Sequence, residues 1–122
     1  MEKKIKIGEK EYLMHASALT QFSYKNETGR SFLQDVKKLA KISIEEIKKN
    51  KDEDELFEIL ENITDLILPL AYVMVKEADS SQAINYDEFL KEINCLYDDI
   101  LWIQEVILLA CSPISTRQLQ NS

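Results

Sequence analysis

Two apolar stripes organise the second half of the chain. Leu56, Leu60, Ile63, Ile67, Leu70 and Met74 succeed one another at steps of four, three, four, three and four. That spacing keeps them on one side of an α-helix, close to a heptad seam. It predicts a helix over Asp52–Ala78, whose acidic first turns (Asp52, Glu53, Asp54, Glu55, Glu58) suit the positive end of the helix dipole. Pro69 removes a backbone donor in mid-helix, so a kink or break is expected near Asp65–Pro69. A return helix is expected over Asp87–Cys111, opened by Asn85 or Tyr86, with Phe89, Ile93, Leu96, Ile100, Ile103, Ile107 and Cys111 as its stripe.

Both segments carry apolar residues outside their stripes. Leu66, Leu68, Ala71, Tyr72, Val73 and Val75 make the first apolar nearly all round, and Leu101, Trp102, Val106 and Leu109 stand off the second stripe. A chain of 122 residues has limited capacity to enclose such a surplus. An ordinary core is the simpler reading of both helices, whereas the residues off the stripes favour a partner surface around Tyr72, Leu101, Trp102, Val106 and Leu109.

The N-terminal part alternates differently. Ile5, Ile7, Tyr12 and Met14 lie at every second position around Gly8, a β-hairpin over residues 3–14. Such a hairpin is marginal alone, so its apolar face should rest on the helices. Ser17 caps a short helix from Ala18 to about Lys25, with Leu19 and Phe22 expected to face in, and Asn26-Glu27-Thr28-Gly29 ends it. Ser31 caps the next, carrying Phe32, Val36 and Leu39, and Ser43 with Glu46 forms a capping box for a third. The expected architecture is mainly α: a bundle of about five helices with a small N-terminal β-hairpin. Residues 1–112 are expected to form one domain, followed by a polar, flexible C-terminal tail over 113–122.

Charge and composition narrow the function classes. Fifteen basic and 22 acidic residues give a net charge of −7, which disfavours nucleic acid as the main partner. The lysines at 37, 38, 41, 48, 49 and 51 read as a solvated helix face. No signal peptide is visible, and the most apolar run, Ile63–Val75, is too short to span a bilayer, so a soluble, cytoplasmic protein is expected. Cys95 and Cys111, about 24 Å apart on one predicted helix, cannot pair within it and are expected to be buried thiols.

Candidate chemistry is sparse. Glu77, Asp79, Ser81, Ile84, Asn85, Glu88 and the following Phe89 match EF-hand spacing, but Gln82 stands where the sharp turn needs Gly and Glu77 where Asp is usual. A plain interhelical loop is the simpler reading. The acidic cluster Asp52–Glu61 reads as a dipole-matched helix start, and His15 stands without a catalytic constellation. No enzyme, metal or cofactor is expected.

Four segments occur in a suggestive order: Ile5-Lys6-Ile7-Gly8-Glu9-Lys10-Glu11-Tyr12, Tyr24-Lys25-Asn26-Glu27-Thr28-Gly29, Ser31-Phe32-Leu33 and Tyr86-Asp87-Glu88-Phe89-Leu90. This order, over residues 4 to 112, resembles the tail assembly chaperones of long-tailed phages and prophages of Gram-positive bacteria. Members often carry a "GKEY"-like hairpin, a "TG-x-S" turn and an "F-x-x-F-L"-like step before the final helix. Here Glu9 and Tyr86 are mild departures, standing where Lys and Phe are common. The resemblance implies binding of the helical tape measure protein, keeping it soluble while tail tube subunits assemble, with no catalysis or cofactor. It also implies that a frameshifted longer form is often made. A long apolar-striped helix lying in a groove fits the surplus read above, and so does self-association into a homo-oligomer. The alternative is a degenerate EF-hand-like or other small helical interaction module without enzymatic activity.

Overall fold

A computed structural model describes residues 1–41, 49, 52–83, 85–97 and 99–114. The fold is mainly α with an N-terminal hairpin: β1 (Glu2–Ile7), β2 (Lys10–His15), α1 (Ala18–Thr28), α2 (Phe32–Ala40), α3 (Glu53–Ala78), a 3-10 turn (Ser80–Gln82), α4 (Tyr86–Glu92) and α5 (Leu101–Cys111). The capping box at Ser43 and Glu46 and the tail from 115 onward lie outside the described residues.

The hairpin pairs antiparallel with Ile5 opposite Tyr12 and Ile7 opposite Lys10. Its alternation puts Ile5, Ile7, Tyr12 and Met14 wholly inside. β2 lies on α3 and β1 on α5, which supplies the cover a two-stranded sheet needs. The two-residue loop demands a left-handed first position, and Gly8 supplies it at φ +65°. A Cβ there would stand 2.6 Å from Asn94 Oδ1 and 2.9 Å from the Cys95 carbonyl oxygen. Gly8→Ala is therefore expected to cost about 2 kcal/mol, roughly half from the left-handed backbone and the rest from the clash. Urea denaturation checks this, and an unchanged midpoint would contradict it.

The long stripe holds. Leu60, Ile63, Ile67, Leu70 and Met74 are buried and Leu56 is partly buried against them, along an unbroken α3 of 26 residues capped by Asp52, whose carboxylate accepts from Asp54 and Glu55 N–H. Of the kink or break expected near Asp65–Pro69, the break does not occur. Proline has no N–H, so the carbonyl of Asp65, four residues earlier, loses its helical donor. Arg30 replaces it: its Nη2 donates to the Asp65 oxygen at 3.2 Å. That guanidinium is itself held, donating through Nε to Asp35 Oδ2 at 3.0 Å and through Nη2 to the Tyr24 hydroxyl oxygen at 3.2 Å.

The return stroke is not one helix. It divides into α4 and α5 with an irregular segment between them, in which Ile93 is extended at φ −84° and ψ 110°. This segment buttresses its neighbours: Asn94 Oδ1 accepts from Glu9 N–H, the Leu96 carbonyl accepts from Trp102 Nε1–H, and the Tyr97 hydroxyl meets that of Thr64. Asp99 Oδ1 then accepts from Leu101 N–H to open α5. The two cysteines thus lie on different elements, both free. Cys111 is half-buried, which raises its thiol pKa, whereas Cys95 is exposed rather than buried.

Candidate functional site

The sequence places the partner surface on the last helix and Tyr72; the structure encloses most of it. Tyr72 is buried against the rings of Tyr86 and Phe89, with Lys76 Nζ 5.5 Å from its centroid. Trp102, Val106 and Leu109 are buried as well, and of the five expected surface residues Leu101 alone is exposed. The cause is helical phase. A single helical period from Asp87 through Cys111 is interrupted after Glu92, where α4 ends, and α5 starts afresh at Leu101. The core face of α5 is therefore Trp102, Ile103, Val106, Leu109 and Ala110.

Exposed large apolar side chains lie on α1 and α2 (Leu19, Phe22, Leu33), and also on α5 (Leu101, Leu108), at Phe57 and at Tyr97. Leu19 and Phe22, expected inside, are 58% and 59% exposed. Long-range polar contacts turn the helix this way. Glu77 on α3 accepts from Ser17 Oγ at 3.1 Å and from Thr20 Oγ1 at 2.5 Å, drawing the polar start of α1 inward. At the other end the Tyr24 hydroxyl donates to buried Asp35 Oδ2 at 2.5 Å. Burial first, and the Asp35 carboxylate next, push the Tyr24 pKa up to about 12. With Thr20 and Tyr24 inward, Leu19 and Phe22 must face out.

The corner between the two helices is built by local caps. Ser17 and Thr20 form a capping box at the start of α1. Gly29, at φ 73°, ends the helix with its N–H donating to the Lys25 carbonyl at 2.7 Å. Thr28 Oγ1 accepts from Arg30 N–H, and Ser31 Oγ accepts from Gln34 N–H to start α2. α2 buries Phe32, Val36 and Leu39 and leaves Leu33 52% exposed.

Between these helices lie two adjoining shallow clefts that share Gln21, Phe32 and Leu33, together termed one open groove. Ser17, Ala18, Gln21, Phe22 and Lys25 form its long wall, and Ser31, Phe32 and Leu33 face them. Pro113 and Ile114 close the end near Ser17. The long wall spans about 12 Å, two turns of helix. The surroundings are basic. Residues 17–41 hold five cations (Lys25, Arg30, Lys37, Lys38, Lys41) and two anions (Glu27, Asp35), net +3, so the remaining residues carry −10 of the chain's −7. Sequence reasoning missed this site because Leu19 and Phe22 at helical spacing normally mark a core face. The charge segregation was the available signal.

The EF-hand-like residues are otherwise engaged. Glu77 holds α1, Asp79 Oδ1 accepts from Ser81 N–H and Oγ–H, and Asn85 Oδ1 caps α4 through Glu88 N–H. The bond from the Ser81 hydroxyl holds the Asp79 carboxyl below its ordinary pKa. Gln82, at the position that needs Gly, ties the hairpin to α3, accepting from Leu13 N–H and donating to the Leu13 and Val75 carbonyls. Ile84 lies outside the described residues. Among the described residues no group of three or more His, Cys, Asp or Glu side chains is arranged to hold a metal ion, and no helix is long and apolar enough to cross a membrane.

No protein-family profile matches the chain, and comparison with curated proteins and with solved structures gives no match.

Proposed function

We propose that this chain is a tail assembly chaperone of a long-tailed phage or prophage, acting in the bacterial cytoplasm. It binds the helical tape measure protein and keeps it dispersed while tail tube subunits gather around it. The observation that carries this reading is the outward-facing apolar groove between α1 and α2, centred on Phe22 and Leu33. A helix with an apolar stripe fits such a groove, and a large aromatic at its centre is the kind of anchor that dominates helix-in-groove contacts.

Some of the residues behind the resemblance also line the groove: Lys25, Ser31, Phe32 and Leu33. Thr28, Gly29 and Ser31 of the "TG-x-S" turn make the corner between α1 and α2. Tyr12 of the hairpin and Phe89 of the later step pack together in the core, with ring centroids 5.3 Å apart. The net charge of −7 sits mainly away from the groove and would keep a complex with a greasy partner from aggregating.

Co-expression with a tape measure protein of such a phage or prophage tests the proposal. The expected result is a co-purifying complex and a larger soluble fraction of tape measure protein. Absence of a complex at low ionic strength would overturn it.

A further inference from the structure

The chain leaves its last helix at the end of the α1–α2 groove. Proline at 113 has no N–H to continue α5, and the Leu109 carbonyl accepts instead from Ser112, from its N–H at 3.0 Å and from its Oγ–H at 2.6 Å. Ile114 is then held in place: its N–H donates to the Cys111 carbonyl at 3.0 Å and its side chain packs against the core. These bonds set Pro113 and Ile114 into the groove lining beside Ser17 and Ala18. The exit point of the chain is thus fixed at the mouth of an apolar channel.

Eight residues follow Ile114: Ser115, Thr116, Arg117, Gln118, Leu119, Gln120, Asn121 and Ser122. Leu119 is the one apolar side chain among them. It stands five residues beyond Ile114, a reach of up to about 17 Å for extended chain. Phe22 stands five residues along α1 from Ser17, roughly 8 Å at the helical rise. Leu119 can therefore arrive at the exposed pair Phe22 and Leu33 with slack to spare. The polar residues on either side of it suit the groove rims, where Gln21 and Ser31 offer hydrogen-bonding groups.

We propose that residues 115–122 turn back along the α1–α2 groove of their own molecule, with Leu119 against Phe22 and Leu33. Charge does not drive the contact, because Arg117 of the tail and Lys25 of the groove wall have the same sign. Tethering does: over so short a span the effective concentration of the tail is on the order of millimolar, so one leucine suffices where a free peptide would not hold. Added salt should not release it, and a larger apolar ligand should displace it. The docking needs only the purified chain. One consequence rests on the chaperone reading: the tail is then a built-in occupant that a client helix must push aside, and it shields Phe22 and Leu33 until the client arrives.

Amide nuclear magnetic resonance on the purified full chain tests it, comparing the wild type with Leu119→Ser and with Phe22→Glu. Leu119→Ser should move the signals of Gln21, Phe22, Ser31 and Leu33 and leave those of core residues such as Ile63 and Phe89 in place. Phe22→Glu, at an exposed position, should reciprocally move the signals of Gln118, Leu119 and Gln120. The differences should persist unchanged on dilution, because the contact lies within one molecule. Groove signals that ignore Leu119→Ser overturn the proposal. So do differences that vanish on dilution, which would place the tail of another copy in the groove. No tape measure protein is present in this experiment, so its failure leaves the chaperone reading standing, and a failed co-expression leaves the docking standing.

Discussion

Phe89→Ala should remove about 4 kcal/mol of folding stability. Phe89 is fully enclosed and is the one core side chain α4 supplies. Its ring meets Tyr12 of the hairpin edge-on at 5.3 Å and Tyr72 of α3 at 5.7 Å. Removing it leaves a cavity where three elements converge. A helix of seven residues has no stability of its own, so α4 should come loose as well. Domains of this size are held by some 5–15 kcal/mol in total, so most of the margin would go. Urea denaturation followed by circular dichroism reads the change. A loss below about 1 kcal/mol would mean that Phe89 is not the joint described.

Raising the pH past 10 should destabilise the fold steeply. Burial raises the pKa of Tyr24 from 10.0 to about 12, with the Asp35 hydrogen bond adding to it. Burial, then the Glu92 carboxylate, raises that of Tyr12 further still. In the unfolded chain both phenols ionise near their ordinary pKa, whereas in the folded chain they keep their protons. The folded state therefore binds more protons over this range, and stability falls as pH rises. The contribution is complete below pH 10 and fades as pH passes through the folded pKa, near 12 for Tyr24. Tyr24 alone accounts for about 3 kcal/mol between those limits. Tyr24→Phe should flatten the curve in this window. Denaturation midpoints that stay level from neutral pH to about 11 would contradict the assignment.

What could be read from the chain beforehand was whatever depends on near neighbours. The hairpin face, the Ser17 and Ser31 caps, Gly29 as the stop of α1 and the Leu60–Met74 stripe are set by spacings of two to four residues, and each appears as expected. The errors came from partners far away in sequence. Thr20 and Glu77 are 57 residues apart, and their bond turns α1 so that Phe22 faces outward. Arg30 reaches Asp65 across 35 residues and fills the gap left by Pro69, so the expected break does not form. The segment after Glu92 gives up helical bonds to brace the hairpin turn through Asn94, which shifts the phase of α5 and puts Trp102 inside. The predicted surplus of apolar surface therefore sits at a different place. The C-terminal half encloses most of its own large side chains but leaves Leu101 and Leu108 open, and the N-terminal pair of helices leaves Leu19, Phe22 and Leu33 open.

This relocation makes the functional account specific. If the groove between α1 and α2 holds the client, substitutions there should abolish binding while leaving the core untouched. The direct measurement is the co-expression pull-down with the tape measure protein, run side by side for the wild type and for the double variant Phe22→Glu, Leu33→Glu. The account predicts a complex with the wild type and none with the variant, at equal yield and equal circular dichroism. Equal recovery of tape measure protein with both would contradict it.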